Sequence, residues 1–312
     1  MVSGWQLKQR QGLPLNIKIQ LSQRRIRDWI AHWGKDKVYV SFSGGKDSTV
    51  LLHLVRSVCP EVKGVFIDTG LEYPEIREFV RTKENIETLR PKKTFPQVLK
   101  DYGYPVISKN VSRYVHDLQN PTLNNLRTRE TRLGKTGSAV GTLSKKWMKL
   151  VDAPFSCSDE CCNVMKKRPV RKYEKENDMK PFLGLMAGES RARNLKFIKN
   201  GCNSFDTKYP QSNPMSFWTE QDILKYIVDN KLDYCKVYGE IKKKNKKYTL
   251  TGVKRTGCMF CMFGVHMEES PNRFQQMEKS HPVIHNYCIN KLGCGKVLNY
   301  IGIPFSNDSG VE

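Results

Sequence analysis

Six consecutive residues, Ser43-Gly44-Gly45-Lys46-Asp47-Ser48, bring together two glycines, an ammonium, a carboxylate and two hydroxyls between apolar runs at 38–42 and 49–58. That combination suits an anion, a phosphate above all. The glycines let the backbone turn tightly and approach a ligand, and a helix that starts after the loop points its unpaired N–H groups and positive dipole end back into it. Lys46 adds a point charge, while Ser43, Ser48 and Thr49 offer hydroxyls to phosphate oxygens or to a metal-bound water. An ordinary glycine-containing strand-to-helix turn is the plainer account of the same residues. The spacing differs from the Gly-x-x-x-x-Gly-Lys of Walker-type loops.

A second reactive set consists of thiols. The chain has ten cysteines. Cys161 and Cys162 are adjacent, with Cys157 close by, and Cys258-Met259-Phe260-Cys261 forms a Cys-x-x-Cys in a glycine-flanked loop. Four thiolates, Cys161, Cys162, Cys258 and Cys261, can close a tetrahedral metal site, with Cys157 as a substitute ligand or a separate thiol. Lys166, Lys167, Arg168, Lys254 and Arg255 stand beside them in sequence and would stabilise a net-negative centre. Ligand type alone suits iron-sulfur or structural zinc. Cys59, Cys202 and Cys235 read as packing residues.

The elements that must position these groups follow from the hydropathy pattern. Short apolar runs at 38–42, 62–67, 86–89 and 182–187 alternate with amphipathic runs at 49–58 and 74–82, the signature of a parallel sheet with crossover helices. Ahead of them, residues 6–33 place Leu21, Ile26, Trp29 and Ile30 near one helical face, a lead-in that packs on the main domain. The expected division is a helical lead-in at 1–34, a nucleotide-binding α/β domain at 35–232 and a Lys- and Cys-rich region at 233–312. Within it, the polar stretch 120–149 reads as a mobile insertion or lid.

Of 312 residues, Lys and Arg exceed Asp and Glu by a formal charge of +22, concentrated at 127–149, 166–175, 191–199 and 242–247. Polyanions are expected partners, nucleic acid among them, although no zinc-finger or RNP sequence is present. No apolar run of about eighteen residues occurs, and Met1-Val2-Ser3-Gly4-Trp5-Gln6-Leu7-Lys8 lacks a signal-peptide centre. A soluble, cytoplasmic protein with no membrane partner is the expectation, and its cysteines then argue for metal or redox chemistry over disulfides.

Ser-Gly-Gly-Lys-Asp-Ser resembles the PP-loop of the adenine-nucleotide alpha-hydrolase-like superfamily. Three further elements, in order, resemble the phosphoadenosine phosphosulfate (PAPS) reductase family within it. They are Asp68-Thr69-Gly70 with Pro74-Glu75, then Gly188-Glu189-Ser190-Arg191-Ala192-Arg193, then Pro214 to Ile227 with Trp218-Thr219 and Asp222. The resemblance spans 38–261 and implies a twisted parallel sheet with helices on both faces, with a small Cys-rich C-terminal region. It implies that Ser43 to Ser48, Asp68, Gly188, Glu189, Ser190 and Arg191 or Arg193 contact an adenine nucleotide. The cysteine arrangement is similar to the 4Fe-4S ligand set of adenylyl-sulfate reductases, with zinc as the alternative.

Within that family, reductases carry their attacking thiol in a C-terminal Glu-Cys-Gly-Ile/Leu-His motif. Here Gly293-Cys294-Gly295 is the nearest approach, without the Glu or the His, and Cys288 sits in a helix-like run. The intact loop resembles instead those of enzymes that split ATP between the α- and β-phosphates with Mg²⁺, which makes Lys46 and Asp47 the candidate catalytic residues. Two readings of different class follow: an adenylating sulfur transferase, acting on nucleic acid or another acceptor with a sulfur-donor protein, and a reductase of PAPS or adenylyl sulfate with a thiol reductant protein. A nucleotide-binding module without turnover is the third.

Overall fold

The computed structural model describes residues 4–307; residues 1–3 and 308–312, the two ends of the expected lead-in and C-terminal region, lie outside the described residues. Two compact units make up the chain, each assembled from separated segments. The first contains residues up to 68, 72–90 and 169–256, and the second 69–71, 91–168 and from 257 on.

A six-stranded sheet forms the first unit. β1 (Val38–Ser41), β2 (Gly64–Ile67) and β3 (Ile86–Leu89) run parallel in the order β3-β2-β1. Beyond β1 come Lys180–Phe182 and Gln211–Ser212, also parallel, and then Asn203–Ser204, antiparallel at the edge. Alternate residues of β1 point to opposite cores, as the period of a strand demands. Val38 and Val40 join Trp29, Leu51 and Leu54 on one side, whereas Tyr39 joins Val65, Tyr173 and Met179 on the other. Val40, Trp29, Leu51 and Leu54 are each 0% exposed, and such burial is worth about 1.5 to 3 kcal/mol per large apolar side chain.

Helices cover both faces, as a parallel sheet requires. On the larger core lie α1 (Gly4–Gln11), α2 (Leu15–Trp33), α3 (Lys46–Arg56) and α4 (Pro74–Arg81). On the opposite face, helix Arg168–Asn177 sets Tyr173 edge-on to Tyr39 at 5.6 Å, and the Tyr39 hydroxyl donates to Glu174 at 2.9 Å. The strand expected at 182–187 stops at Phe182. The Leu183 N–H still donates to the Ser212 carbonyl at 2.8 Å, and the chain then passes the first turn of α3, where a Cβ on Gly184 would lie 3.4 Å from the Asp47 carbonyl oxygen.

The lead-in is tied to the sheet by buried polar bonds. Lys18, 2% exposed, donates to Asp222 at 2.6 Å and to the Gln11 carbonyl at 2.7 Å. Asp222 in turn accepts from the Thr219 N–H at 2.7 Å, closing the capping box of helix Glu220–Asp229. Ser22 donates to the Pro214 carbonyl at 2.8 Å and accepts from Trp218 Nε1 at 2.9 Å.

In the second unit, Val106–Ile107 and Met262–Phe263 form a short parallel pair. Around them lie helices Phe95–Tyr102, Lys109–Gln119, Arg273–Ser280 and Cys294–Tyr300. The 120–149 stretch contains helix Leu126–Arg132, and Trp147 and Leu150 at its far end are buried. Among the described residues no helix is long and apolar enough to cross a membrane.

Removing one partner of a buried ion pair leaves the other uncompensated. Asp222→Ala is therefore expected to destabilise the first unit by about 3 to 5 kcal/mol, read as a lower urea midpoint; a midpoint unchanged from the parent would mean that Lys18 finds another partner.

Candidate functional site

The loop between β1 and α3 is built to present backbone amides. Gly44 has φ +71, and Gly45 follows in extended geometry as the N-cap of α3. The Ser48 hydroxyl donates to the Gly45 carbonyl at 2.9 Å and accepts from the Ser43 N–H at 3.1 Å, and Thr49 donates to the same carbonyl at 3.0 Å. These bonds lock the loop. The Lys46 N–H, at the positive end of α3, donates to the Tyr238 hydroxyl at 3.1 Å.

A cavity of about 470 Å³ opens over this loop. Ser43, Gly45, Lys46, Asp47 and Ser48 form its floor, and Gly188, Glu189 and Arg193 one wall. Arg193 pairs with Glu189, which also accepts from the Met186 N–H at 2.9 Å. Ser190 instead caps helix Arg191–Asn200 by accepting from the Arg193 N–H, and Arg191 is exposed and outside the lining. Of the two candidate arginines the cavity thus takes Arg193. Gly44 lies beneath the lining, and Asp68, at the end of β2, pairs with Arg77 at 2.9 Å and Arg90 at 3.8 Å, also outside it.

Charge in the cavity is closely matched. Lys46 is 4% exposed, and its Nζ lies 3.4 Å from Asp47, 3.4 Å from Glu220 and 3.5 Å from the Lys254 carbonyl. Burial raises the Asp47 carboxyl above the usual range, Glu189 and Glu220 push the same way, and Lys46 opposes them. Asp47 Oδ1 is buried without a hydrogen-bond partner. A buried carboxylate oxygen of this kind suits a hard cation such as Mg²⁺ whose other ligands are phosphate oxygens and water, while Glu189 and Glu220, lining the same cavity, pair with Arg193 and Lys46.

Several lining residues escaped the reading of the sequence. Gln11 reaches in from α1, Glu220 from the capped helix, and Tyr238, Arg255 and Thr256 from the Lys-rich region. Glu220 could have been found one position beyond Thr219; the others carry no local signal. Arg255 was expected beside the thiols and lines this cavity instead.

The thiols lie in the second unit. Cys161 and Cys162 open a helical segment and hydrogen-bond to each other. Cys162 is held below the ordinary thiol range, first by the bond from Cys161 and then by Lys109 and Lys166. Cys161 is pushed up by that bond and by burial, and it senses Cys258 and Cys261; Cys261 senses Cys162. The four candidate ligands therefore share one electrostatic neighbourhood, with the parallel strand pair seating Cys261 beside Met262. Among the described residues no group of three or more Cys, His, Asp or Glu has an arrangement that could hold a metal ion, although the soft, four-thiol donor set suits iron-sulfur or zinc.

Cys157 is 0% exposed and its thiol is pushed up to about 12 by burial. Cys202 and Cys235 pack in the core of the first unit, with Cys59 partly buried against it. Cys288 and Cys294 are each 0% exposed and hydrogen-bonded to one another.

The raised Asp47 sets a pH dependence. Its folded-state pKa exceeds the unfolded value, so between the two the folded protein holds the extra proton, and stability falls as pH rises through that window. Asp47→Asn is expected to raise the melting temperature of the ligand-free protein at neutral pH. The gain should shrink as acid protonates the parent carboxyl, and a gain independent of pH would locate its origin elsewhere.

The family model of the phosphoadenosine phosphosulfate reductase domain matches residues 37–107 and 105–264. An uncharacterized protein of Methanocaldococcus jannaschii is 24% identical over 272 residues, 83% of this chain and 49% of that protein, so the chain spans about half the length of that relative. Adenosine 5′-phosphosulfate reductase of Staphylococcus epidermidis is 21% identical over 218 residues, 69% of this chain and 70% of the enzyme. Among solved structures, the phosphate complex of Candida auris PAPS reductase is 14% identical, covers 79% of this chain and 98% of its own, and superposes with a TM-score of 0.41. Because the family model runs from β1 through the PP-loop to the Cys-x-x-Cys, the chain belongs to the phosphoadenosine phosphosulfate reductase family.

Proposed function

We propose that the chain is a PP-loop sulfur transferase that activates its acceptor with ATP. An acceptor oxygen attacks the α-phosphorus, pyrophosphate leaves, and a sulfur nucleophile from a donor then displaces AMP from the adenylated carbon or phosphorus. The intact Ser43 to Ser48 loop, lying with the buried Lys46 along a cavity of about 470 Å³, carries the reading. In it the loop amides and hydroxyls bind the β- and γ-phosphates, Lys46 stabilises the charge that develops on the leaving pyrophosphate, and Arg193 holds a further phosphate oxygen. Asp47 would hold Mg²⁺ together with phosphate oxygens, and the ion would supply charge neutralisation along the phosphates. Asp68 and Ser190 act from outside the cavity by bracing β2 and the Arg193 helix.

Cys161, Cys162, Cys258 and Cys261 would hold a 4Fe-4S cluster, with zinc as the alternative. Such a cluster supplies electron-transfer or sulfur-carrying chemistry when bound. Among the described residues no two cysteines are joined by a disulfide, as suits a reducing compartment such as the cytoplasm.

A second reading, reduction of PAPS or adenylyl sulfate to sulfite, is favoured by the names of relatives such as the staphylococcal enzyme. Against it, Cys294 is buried at 0% exposure and hydrogen-bonded to Cys288, which leaves no accessible thiol at the nearest approach to the reductase motif.

Incubating anaerobically purified protein with ATP, PAPS and adenylyl sulfate in parallel separates the readings. Pyrophosphate release from ATP is expected, with water standing in for the acceptor oxygen and AMP as the second product, and Lys46→Ala should lower it by about 10²-fold or more, the scale of losing one preorganised charge-stabilising group. Sulfite release that disappears in Cys294→Ser would replace this reading with the reductase, and nucleotide binding with neither product would leave a binding module. Iron and sulfide analysis of the same preparation should give about four of each per chain, with Cys258→Ser losing both; a single zinc instead would remove the cluster.

A further inference from the structure

We propose that the lysine hairpin, strands Ile241–Lys244 and Lys247–Leu250, is the docking surface for a nucleic-acid strand, held by its phosphodiester backbone beside the PP-loop cavity. The proposal deepens the function above by naming the class of acceptor, and it rests on that function only for what happens to the strand once bound.

The hairpin is an unusual place to concentrate charge. Its two-residue turn puts Asn245 at φ +49 and Lys246 at φ +65, a geometry that glycine ordinarily supplies, so an ammonium stands at the tip. In the ladder Lys244 is directly opposite Lys247, and like charges at such a pair are destabilising. Lys242, opposite Thr249, shares their face. Lys242 pairs with Glu240 at 3.3 Å, but among the described residues Lys244, Lys246 and Lys247 have no carboxylate partner. All of these lysines are exposed. Lysine on an edge strand often serves only to block pairing with another chain. That role does not call for like charges across the ladder or at the turn, whereas a polyanion relieves both repulsions at once.

The root of the hairpin is the wall of the cavity. Ile241 and Leu250 pack on the core, the Gly252 N–H donates to the Tyr238 carbonyl at 2.9 Å, and the Val253 N–H donates to the Val237 carbonyl at 3.1 Å. Tyr238 and Thr256, at the two feet, line the cavity. Gln221 clasps the outer strand, accepting from the Tyr248 N–H at 2.8 Å and donating to its carbonyl at 3.0 Å; its neighbours Thr219 and Glu220 also line the cavity. A strand gripped by Lys244, Lys246 and Lys247 is thereby tethered to the element that carries the loop's own hydrogen-bond partner. RNA and DNA offer the same phosphodiester chemistry, and the experiment tells them apart.

Full-length protein is titrated into fluorescein-labelled single-stranded RNA and DNA of one sequence, about twenty nucleotides long and so beyond the usual site size of single-strand binders, with anisotropy read across a salt series. The test variant is Lys244→Gln/Lys246→Gln/Lys247→Gln. A control of equal charge, Lys175→Gln/Lys199→Gln/Lys231→Gln, alters exposed lysines elsewhere on the first unit. The hairpin variant is expected to bind about tenfold or more weakly, with the slope of log K against log salt shallower by about 2, since each phosphate contact contributes about 0.7 to 0.9. The control should stay within about twofold, and whichever nucleic acid binds tighter names the acceptor class. Hairpin and control variants that weaken equally, a hairpin variant that matches the parent, or a parent that binds anionic vesicles but neither oligonucleotide would overturn the proposal. Pyrophosphate release from ATP alone, with water in place of the acceptor oxygen and AMP as the second product, keeps the two ideas apart. It should be unchanged in the hairpin variant, and a parent that binds oligonucleotide but not ATP would sink the ATP reading alone.

Discussion

The close approach of the β1–α3 turn to α4 is the constraint on which the site depends. A Cβ on Gly44 would lie 2.8 Å from Val80 Cγ2 and 2.9 Å from Ile76 Cγ2, and the residue's φ of +71 already excludes most side chains. Pressed against that helix, the chain turns into α3, whose first residues, Lys46, Asp47 and Ser48, line the cavity. The other side of the turn is equally confined, since a Cβ on Gly45 would come within 3.1 Å of both Thr256 Oγ1 and the Tyr238 hydroxyl. Two segments far apart in the chain thus hold one short loop, and packing sets its shape before any ligand arrives.

Burying Lys46 follows from that confinement. An ammonium 4% exposed must be paired, and in the ligand-free protein the partners are Asp47, Glu220 and a carbonyl of the Lys-rich segment. Tyr238 meanwhile occupies the amide that a phosphate oxygen would take. An entering phosphate therefore exchanges existing interactions for its own; it does not fill a set of free donors. Exchange of this kind rewards a ligand that engages several groups together, as a polyphosphate does, over one that engages a single donor.

What could be read along the chain was what is encoded locally. β1, β2 and β3, with α3 and α4 between them, follow from runs whose period and flanking glycines or prolines suffice to define them. The overrun of the strand at Phe182 came from reading apolar character as strand length, when the run beyond Leu183 leaves the neighbouring strand to pass the first turn of α3. Gln11, Tyr238 and Thr256 could not be found, because their role depends on long-range packing and their neighbours in sequence say nothing of it. Arg193 over Arg191 is a matter of helical phase after the Ser190 cap, which two equally spaced candidates do not disclose until the helix start is known. The thiols were legible as a set because adjacency and Cys-x-x-Cys spacing are local; the partnership of Cys288 with Cys294 was not.

Where the charge sits bears on what the chain can hold. In the cavity, Lys46, Arg193 and Arg255 are balanced by Asp47, Glu189 and Glu220, so the lining carries no excess with which to attract a free polyphosphate. That balance favours a nucleotide arriving with a divalent cation, which the carboxylates can share, over a bare tetra-anion. It also means that the formal +22 of the chain lies outside the cavity, on surface such as the hairpin. A surplus of this size opposes compaction by self-repulsion, and at Lys244 and Lys247 the repulsion is built into the ladder itself. The nucleotide alone does not account for it. On the proposal that the hairpin docks a nucleic-acid strand, this exposed charge has its counterpart outside the cavity.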